Sequence, residues 1–128
     1  MSDEHEIEDT LEVPQAVLNA FASLFPNATP EWSEDEGSFE AEFEQDGKEV
    51  EVNFLASGTL VQIETERDIA DVPEVVIKAA MAKYPDHEID EVDQVELPDG
   101  TIHYEVDMGV IELHITPEGE IIDEDEDL

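Results

Sequence analysis

The sequence predicts an α+β fold of two tandem repeats, each with one helix packed on one face of an antiparallel sheet of about four strands. Three observations support this prediction: a helix-start motif that occurs twice, a stretch of alternating apolar and polar residues after each helix, and the hairpin signal Asp46-Gly47. A chain of 128 residues is long enough for one compact domain or two small fused units.

The repeat is visible as two similar motifs in the same order. Val13-Pro14-Gln15-Ala16-Val17 recurs 59 positions later as Val72-Pro73-Glu74-Val75-Val76. Phe25-Pro26 recurs at the same offset as Tyr84-Pro85. We therefore predict repeats at residues 12–67 and 71–124.

Both ends of the chain are acidic and poor in apolar residues. We expect acidic tails at residues 1–11 and 125–128, and frayed or disordered chain at Ser2–Asp9 and Asp123–Asp127.

Each repeat begins with a predicted helix. Apolar residues recur three and four positions apart over residues 17–25 and again over residues 76–84, which gives each helix one apolar face. Pro14 and Pro73 suit the first helical turn, where a missing N–H costs nothing. Further strands that complete the two sheets are predicted around Glu31–Glu34, Leu60–Glu66, Ile89–Leu97 and Glu120–Ile122.

The first hairpin has one apolar face and one acidic face. With Asp46-Gly47 as its loop, Phe43 faces Val50 and Phe39 faces Phe54. The opposite face carries five glutamates: Glu40, Glu42, Glu44, Glu49 and Glu51. This glutamate face is a candidate surface for a basic protein or for multivalent cations. We favour the simpler interpretation, a hydrated surface screened by salt.

The second hairpin carries two histidines among its carboxylates. With Met108-Gly109 as the loop, His103 lies opposite His114, and Glu105 lies opposite Glu112 on the same face. Cross-strand neighbours lie about 5 Å apart, so these four side chains are a candidate site for a metal such as zinc. The interpretation that we favour here is two surface histidines in an acidic protein.

The charge of the chain is extreme. It has 38 Asp and Glu against 4 Lys and Arg, a formal net charge of -34. A surface of nearly one sign repels itself, and the screening length falls to about 3 Å in 1 M salt. We therefore expect an adaptation to high salt, as in a halophile. The charge disfavours nucleic acid and membranes as partners, and it permits inorganic cations and basic proteins.

Several kinds of chemistry have no support in the sequence. Without cysteine there are no disulfides or thiolate sites, and no phosphate loop, catalytic triad or cofactor motif occurs. No segment approaches the ~20 apolar residues of a membrane span. No signal peptide follows Met1, which predicts a cytoplasmic protein; the alternative is an exported protein whose signal has been removed.

The motifs together resemble a known family. The Val-Pro-x-x-Val helix start, the Phe/Tyr-Pro helix end, Trp32, and the turns Ser57-Gly58 and Glu118-Gly119 resemble PepSY-like proteins. Those proteins are similar in fold to the beta-lactamase inhibitor protein, a tandem repeat of helices on antiparallel sheet. The resemblance covers most of residues 12–124 and implies non-enzymatic, often exported proteins that bind or inhibit other proteins.

We therefore expect a non-enzymatic, protein-binding or inhibitory module without a cofactor, present as a monomer or a small homo-oligomer. Two alternatives stay open: a protein that binds or buffers cations such as calcium or zinc, and a mimic of nucleic acid.

Overall fold

The computed structural model describes residues 11–126, which form two helices and eight strands. The helices are α1 (Gln15–Leu24) and α2 (Glu74–Lys83). The strands of the first repeat are β1 (Glu31–Asp35), β2 (Ser38–Gln45), β3 (Lys48–Leu55) and β4 (Leu60–Arg67). Those of the second repeat are β5 (Glu91–Glu96), β6 (Ile102–Met108), β7 (Ile111–Ile115) and β8 (Ile121–Glu126). The predicted α+β class is confirmed, as is the predicted order of one helix followed by four strands in each of two repeats.

All eight strands form one antiparallel sheet in which each strand pairs with its neighbours in the sequence. The two repeats are joined through β4 and β5, where Thr65 lies opposite Gln94 and Glu66 opposite Asp93. A short 3-10 helix at Ile69–Asp71 leads from β4 toward α2. Neither helix is long and apolar enough to cross a membrane.

Both helices lie on the same face of this sheet, and each covers its own apolar cluster. In the first cluster, Val17 and Phe21 of α1 pack on the inward side chains of β2 and β3. In the second, Val76 and Ala80 of α2 pack on those of β6 and β7. Residues directly opposite each other lie on the same side of a sheet. Followed from β3 through β4 and β5 to β6, the register places Val52 and Ile102 on the same side, so the two clusters share one side of the sheet.

The first hairpin has the predicted register. Phe43 lies opposite Val50, Glu42 opposite Glu51, and Gln45 opposite Lys48. Both loop residues have positive φ, 56° at Asp46 and 79° at Gly47, as a type I′ turn requires.

The second hairpin differs from its predicted register. Its loop is Gly109-Val110, so Met108 lies opposite Ile111 and Glu105 lies opposite His114. The prediction that His103 lies opposite His114, and Glu105 opposite Glu112, is wrong. Burial explains the difference, because Met108 is only 1% exposed when it extends β6, whereas Val110 is left 50% exposed in the turn. Moving a turn by one residue shifts the register by two, so each side chain keeps its face.

The acidic C-terminal segment is more ordered than predicted. Strand β8 runs to Glu126 and pairs with β7, with Leu113 opposite Glu124 and Glu112 opposite Asp125. The prediction of frayed chain from Asp123 is therefore wrong as far as Glu126. Backbone pairing with β7 and the contacts of Glu124 with Lys83 and Tyr84 hold this segment. Residues 127–128, and residues 1–10 of the predicted tail at 1–11, lie outside the described residues.

A glycine after the third strand of each repeat lies against the start of its helix. A Cβ added to Gly58 would lie 2.7 Å from the Ala16 backbone oxygen, and one added to Gly119 would lie 3.2 Å from that of Val75. The aligned positions of the two repeats therefore make the same contact between turn and helix.

Candidate interaction and metal-binding face

The side of the sheet opposite the helices, which we call the helix-free face, is predominantly acidic. Alternation along the strands, together with the register, places these acidic side chains on it: Glu31, Asp35, Glu40, Glu42, Glu44, Glu49, Glu51, Glu64, Glu66, Glu91, Asp93, Glu105, Asp107, Glu112, Asp123 and Asp125. Among residues 11–126, no lysine or arginine lies on this face. Lys48 and Arg67 lie on the helix side of the sheet, and Lys78 and Lys83 lie on α2.

The predicted glutamate face forms the β2–β3 part of this larger surface. Glu42 lies opposite Glu51, and Glu44 lies opposite Glu49. Glu51 in turn lies opposite Glu64 of β4. Like charges directly opposite each other destabilise a sheet, so this surface needs protons, cations or a partner.

Protons supply part of that neutralisation. Burial, a hydrogen bond to Glu40 and the charges of Glu64 and Glu42 raise the pKa of Glu51 to about 8. Burial, followed by the charge of a neighbouring carboxylate, also raises the pKa of Glu64, Asp93 and Glu105, each to about 7. A band of carboxyl groups across β3 to β6 therefore titrates near neutral pH.

Val95 lies within this band of carboxyl groups. It lies on the helix-free face between Glu64 of β4 and His103 of β6, and it is fully buried. An apolar side chain at the centre of a charged surface excludes water from the carboxyl groups around it. Sequence reasoning missed Glu64, Asp93 and Val95 because they come together only where β4 of one repeat pairs with β5 of the other.

The two histidines lie on β6 and β7, on the same face. His103 lies opposite Val95, and His114 lies opposite Glu105. Although they are not directly opposite, the rings are in contact, with His114 Nδ1 3.3 Å from His103 Nε2. Burial, and then the charge of His114, lower the pKa of His103, which favours its neutral form.

Carboxylates surround the second ring nitrogen of His114. Glu112 Oε2 lies 3.1 Å from His114 Nε2, and Asp125 Oδ2 lies 3.4 Å from it. Nε2 is nevertheless buried and has no hydrogen-bond partner among residues 11–126.

Three groups of side chains on this face hold their potential ligand atoms within 4.8 Å of one another: Glu105, Glu112 and His114; His114, Asp123 and Asp125; and Glu64, Asp93 and Glu105. The structure thus brings together Glu105, Glu112 and His114 of the predicted metal cluster, with His103 against His114. Asp123 and Asp125 are additions, since β8 was predicted to end before them. Residues 123–126 are all acidic, so no alternation of apolar and polar residues in the sequence indicated the longer strand.

Comparison with known proteins agrees with this architecture. The family model for beta-lactamase-inhibitor-like, PepSY-like proteins matches residues 37–123. A BLIP-like protein from Bacteroides fragilis NCTC 9343 is 29% identical, with a TM-score of 0.73 over 91% of this chain and 87% of that one. A DUF2874 family protein from Bacteroides uniformis ATCC 8492 is 27% identical, with a TM-score of 0.82 over 90% of each chain.

A third structure, of a protein from Bacteroides eggerthii DSM 20697 described as periplasmic, is 23% identical, with a TM-score of 0.81 over 91% of this chain and 90% of that one. None of the curated proteins matches the chain significantly. The family match covers more than half of the sequence, including β2 to β7 and α2. The chain therefore belongs to the beta-lactamase-inhibitor-like, PepSY-like family.

Proposed function

We propose that this protein is a non-enzymatic binding module whose helix-free face binds, and thereby inhibits, a partner protein with a basic surface. The observation that carries the proposal is the arrangement of the sheet. Both helices cover one face, and the other presents carboxylates from all eight strands without a lysine or arginine among the described residues.

Charge complementarity determines the kind of partner. A partner rich in arginine and lysine would be attracted over a long range and would replace the cations that neutralise the face. Glu42 and Glu44 are exposed, so they are available for ion pairs with such a partner. Val95 is fully buried and offers it no contact area.

Two of the solved relatives support parts of this proposal. The Bacteroides fragilis protein is named for its likeness to the beta-lactamase inhibitor protein, which supports inhibition by binding. The Bacteroides eggerthii protein is described as periplasmic, which supports an exported location.

Adaptation to high salt is part of the same proposal. Carboxylates lie directly opposite each other in at least three neighbouring strand pairs: Glu42 and Glu51, Glu51 and Glu64, and Glu112 and Asp125. Only 4 basic residues are present in the whole chain to offset them, so dissolved cations are the main source of screening.

The test is capture of a partner from an extract of the source organism, with the purified wild-type chain and two charge-reversed variants as bait. The first variant is Glu42→Lys/Glu44→Lys, on the helix-free face. The matched control, Glu12→Lys/Glu118→Lys, makes the same charge change at exposed positions away from it.

We expect a saturable partner whose dissociation constant rises about tenfold or more for the face variant and stays near the wild-type value for the control. The activity of the partner should also fall in proportion to the amount of complex that forms. Equal weakening by both variants would indicate attraction to net charge alone. That result, or the absence of a saturable partner in 0.15 M and 1 M KCl, would refute the proposal.

A further inference from the structure

We propose that the β6–β7–β8 end of the helix-free face binds one divalent transition-metal ion, with Zn²⁺ as the best fit, through His114 Nε2 and the carboxylates of Glu112, Glu105 and Asp125. This site goes beyond the binding of a partner protein, because it needs only side chains of this chain.

The first argument is the spacing of the ligand atoms. Zinc binds imidazole nitrogen and carboxylate oxygen at about 2.0–2.2 Å, so two ligands at a tetrahedral angle lie about 3.3 Å apart. The distances from His114 Nε2 to Glu112 Oε2 and Asp125 Oδ2 are 3.1 and 3.4 Å. Glu105 lies directly opposite His114, and its carboxylate lies within 4.8 Å of the ligand atoms of Glu112 and His114. Glu105 and Asp125 belong to separate groups around His114, so their side chains must rotate to reach one ion.

The second argument is the state of His114 Nε2 itself. This atom is buried and makes no hydrogen bond. A buried polar atom without a partner is costly, and native proteins rarely leave one. A cation bound between Nε2 and the two carboxylates would satisfy the nitrogen and both oxygens at once.

The third argument is the orientation of the His114 ring by His103. One of the two nitrogens in the 3.3 Å contact between His114 Nδ1 and His103 Nε2 must donate a proton. When Nδ1 of His114 donates, its Nε2 carries a lone pair that is available to a cation. Metal-bound histidines use this arrangement, with the other ring nitrogen donating to a neighbouring group. His103 is therefore a positioning residue rather than a ligand.

The ligand set favours zinc over calcium or magnesium. Calcium and magnesium prefer oxygen ligands, whereas imidazole nitrogen suits zinc and its neighbours in the first transition series. The all-carboxylate group of Glu64, Asp93 and Glu105 lacks such a nitrogen.

The experiment is titration of the full-length protein with ZnCl₂ by calorimetry in 1 M KCl and excess MgCl₂, which saturate non-specific carboxylate binding. The same titrations are run on His114→Gln, His103→Phe and Glu112→Gln. His87→Asn is the matched control, since His87 lies beside Tyr84 at the end of α2, away from the cluster. Circular dichroism verifies that each variant folds, and imidazole ¹⁵N spectra report which ring nitrogen binds the metal.

We expect one saturable zinc equivalent, with a selective shift of the His114 Nε2 resonance. The dissociation constant for zinc should rise at least tenfold in His114→Gln and Glu112→Gln. In His103→Phe it should rise by about ten- to a hundredfold. The His87→Asn protein should bind as the wild type does. Unsaturable heats, complete competition by Mg²⁺, or wild-type affinity in a folded His114→Gln or Glu112→Gln protein would each overturn the proposal.

Discussion

Carboxyl groups of this protein differ in how readily they ionise, because their burial and their hydrogen bonds differ. Glu51 pairs with Glu42 on one side and with Glu64 on the other, and its pKa is raised to about 8. Asp99 is on a turn, where hydrogen bonds from the Thr101 backbone and hydroxyl lower its pKa. A side-chain carboxyl group can thus favour folding at lower or at higher pH, depending on its neighbours.

The raised pKa of Glu51 predicts the direction in which stability changes with pH. Its pKa is about 8 in the folded protein against 4.5 in the unfolded chain, so the folded state binds more protons between these values. The free energy of unfolding should therefore fall as pH rises from about 4.5 to 8. Glu40 and Glu42 of β2, Glu49 of β3 and Glu64 of β4 are the charged groups around it. Urea denaturation at constant ionic strength across this range would measure the slope.

A single substitution isolates that contribution. Glu51→Gln should raise the free energy of unfolding at pH 8.5 by about 1 kcal/mol, after allowance for partial exposure, and should flatten the pH profile. Glu44→Gln removes a fully exposed charge from the same face and is the control. An equal effect of both substitutions would mean that net charge, rather than burial of Glu51, determines the slope.

The two hairpin turns show how much of the strand register the local sequence can predict. Asp46-Gly47 is a strong turn signal because both residues tolerate the positive φ that they adopt, and the register that follows from it is correct. In Met108-Gly109-Val110, glycine can take either loop position. Burial of Met108 on the second apolar cluster decides between them, and that cluster is a tertiary feature.

At the scale of elements, the contact between turn and helix is the most constrained junction of each repeat. Gly58 has a φ of 91°, and Gly119 has a φ of 94°. Each turn glycine lies against a backbone oxygen of its helix, at Ala16 and at Val75 respectively. Since the carbonyl belongs to the backbone, it has little freedom to move away from an added methyl group.

Alanine substitutions at these glycines should therefore differ in cost. Gly58→Ala should destabilise the protein by about 2 kcal/mol or more, because the strain of positive φ adds to the clash with Ala16. Gly47→Ala has a similar φ but open space around its Cβ, so about 1 kcal/mol is expected. Gly119→Ala should fall between them. Chemical denaturation of the three variants would show the order, and equal values for Gly58 and Gly47 would contradict the proposed clash.

The pairing of β4 with β5 was not predictable from local sequence. The sequence of each repeat predicts a helix and a sheet that are complete by themselves. Nothing in the residues of Leu60–Arg67 or Glu91–Glu96 indicates that these two strands pair with each other. This pairing brings Glu64, Asp93 and Val95 together. The proposed metal cluster was more accessible to sequence reasoning, since His103, Glu105, Glu112 and His114 all lie in one hairpin whose alternation assigns them to one face.

For the whole molecule, we expect repulsion across the helix-free face to make stability depend on dissolved salt. The melting temperature followed by circular dichroism should rise from low salt to 2 M KCl, by roughly 4 °C for each 1 kcal/mol gained through screening. NaCl at equal concentration should act similarly if screening is the cause. A melting temperature that does not change with salt would contradict adaptation to high salt, and a stably folded monomer at low salt would favour the alternative of a nucleic-acid mimic.

The eight-stranded sheet has two edge strands, and these edges affect self-association between molecules. Within residues 11–126, β1 and β8 end the sheet, so each leaves a row of backbone donors and acceptors without a described strand beside it. Within the chain, the strands of the two repeats join where β4 pairs with β5. If β8 of one molecule paired with β1 of another in the same way, this pairing could repeat from molecule to molecule without limit. β8 carries Asp123, Glu124, Asp125 and Glu126, and β1 carries Glu31, Glu34 and Asp35. The acidic edge strands thus repel each other and act against the fibres that an uncharged sheet of this topology would invite.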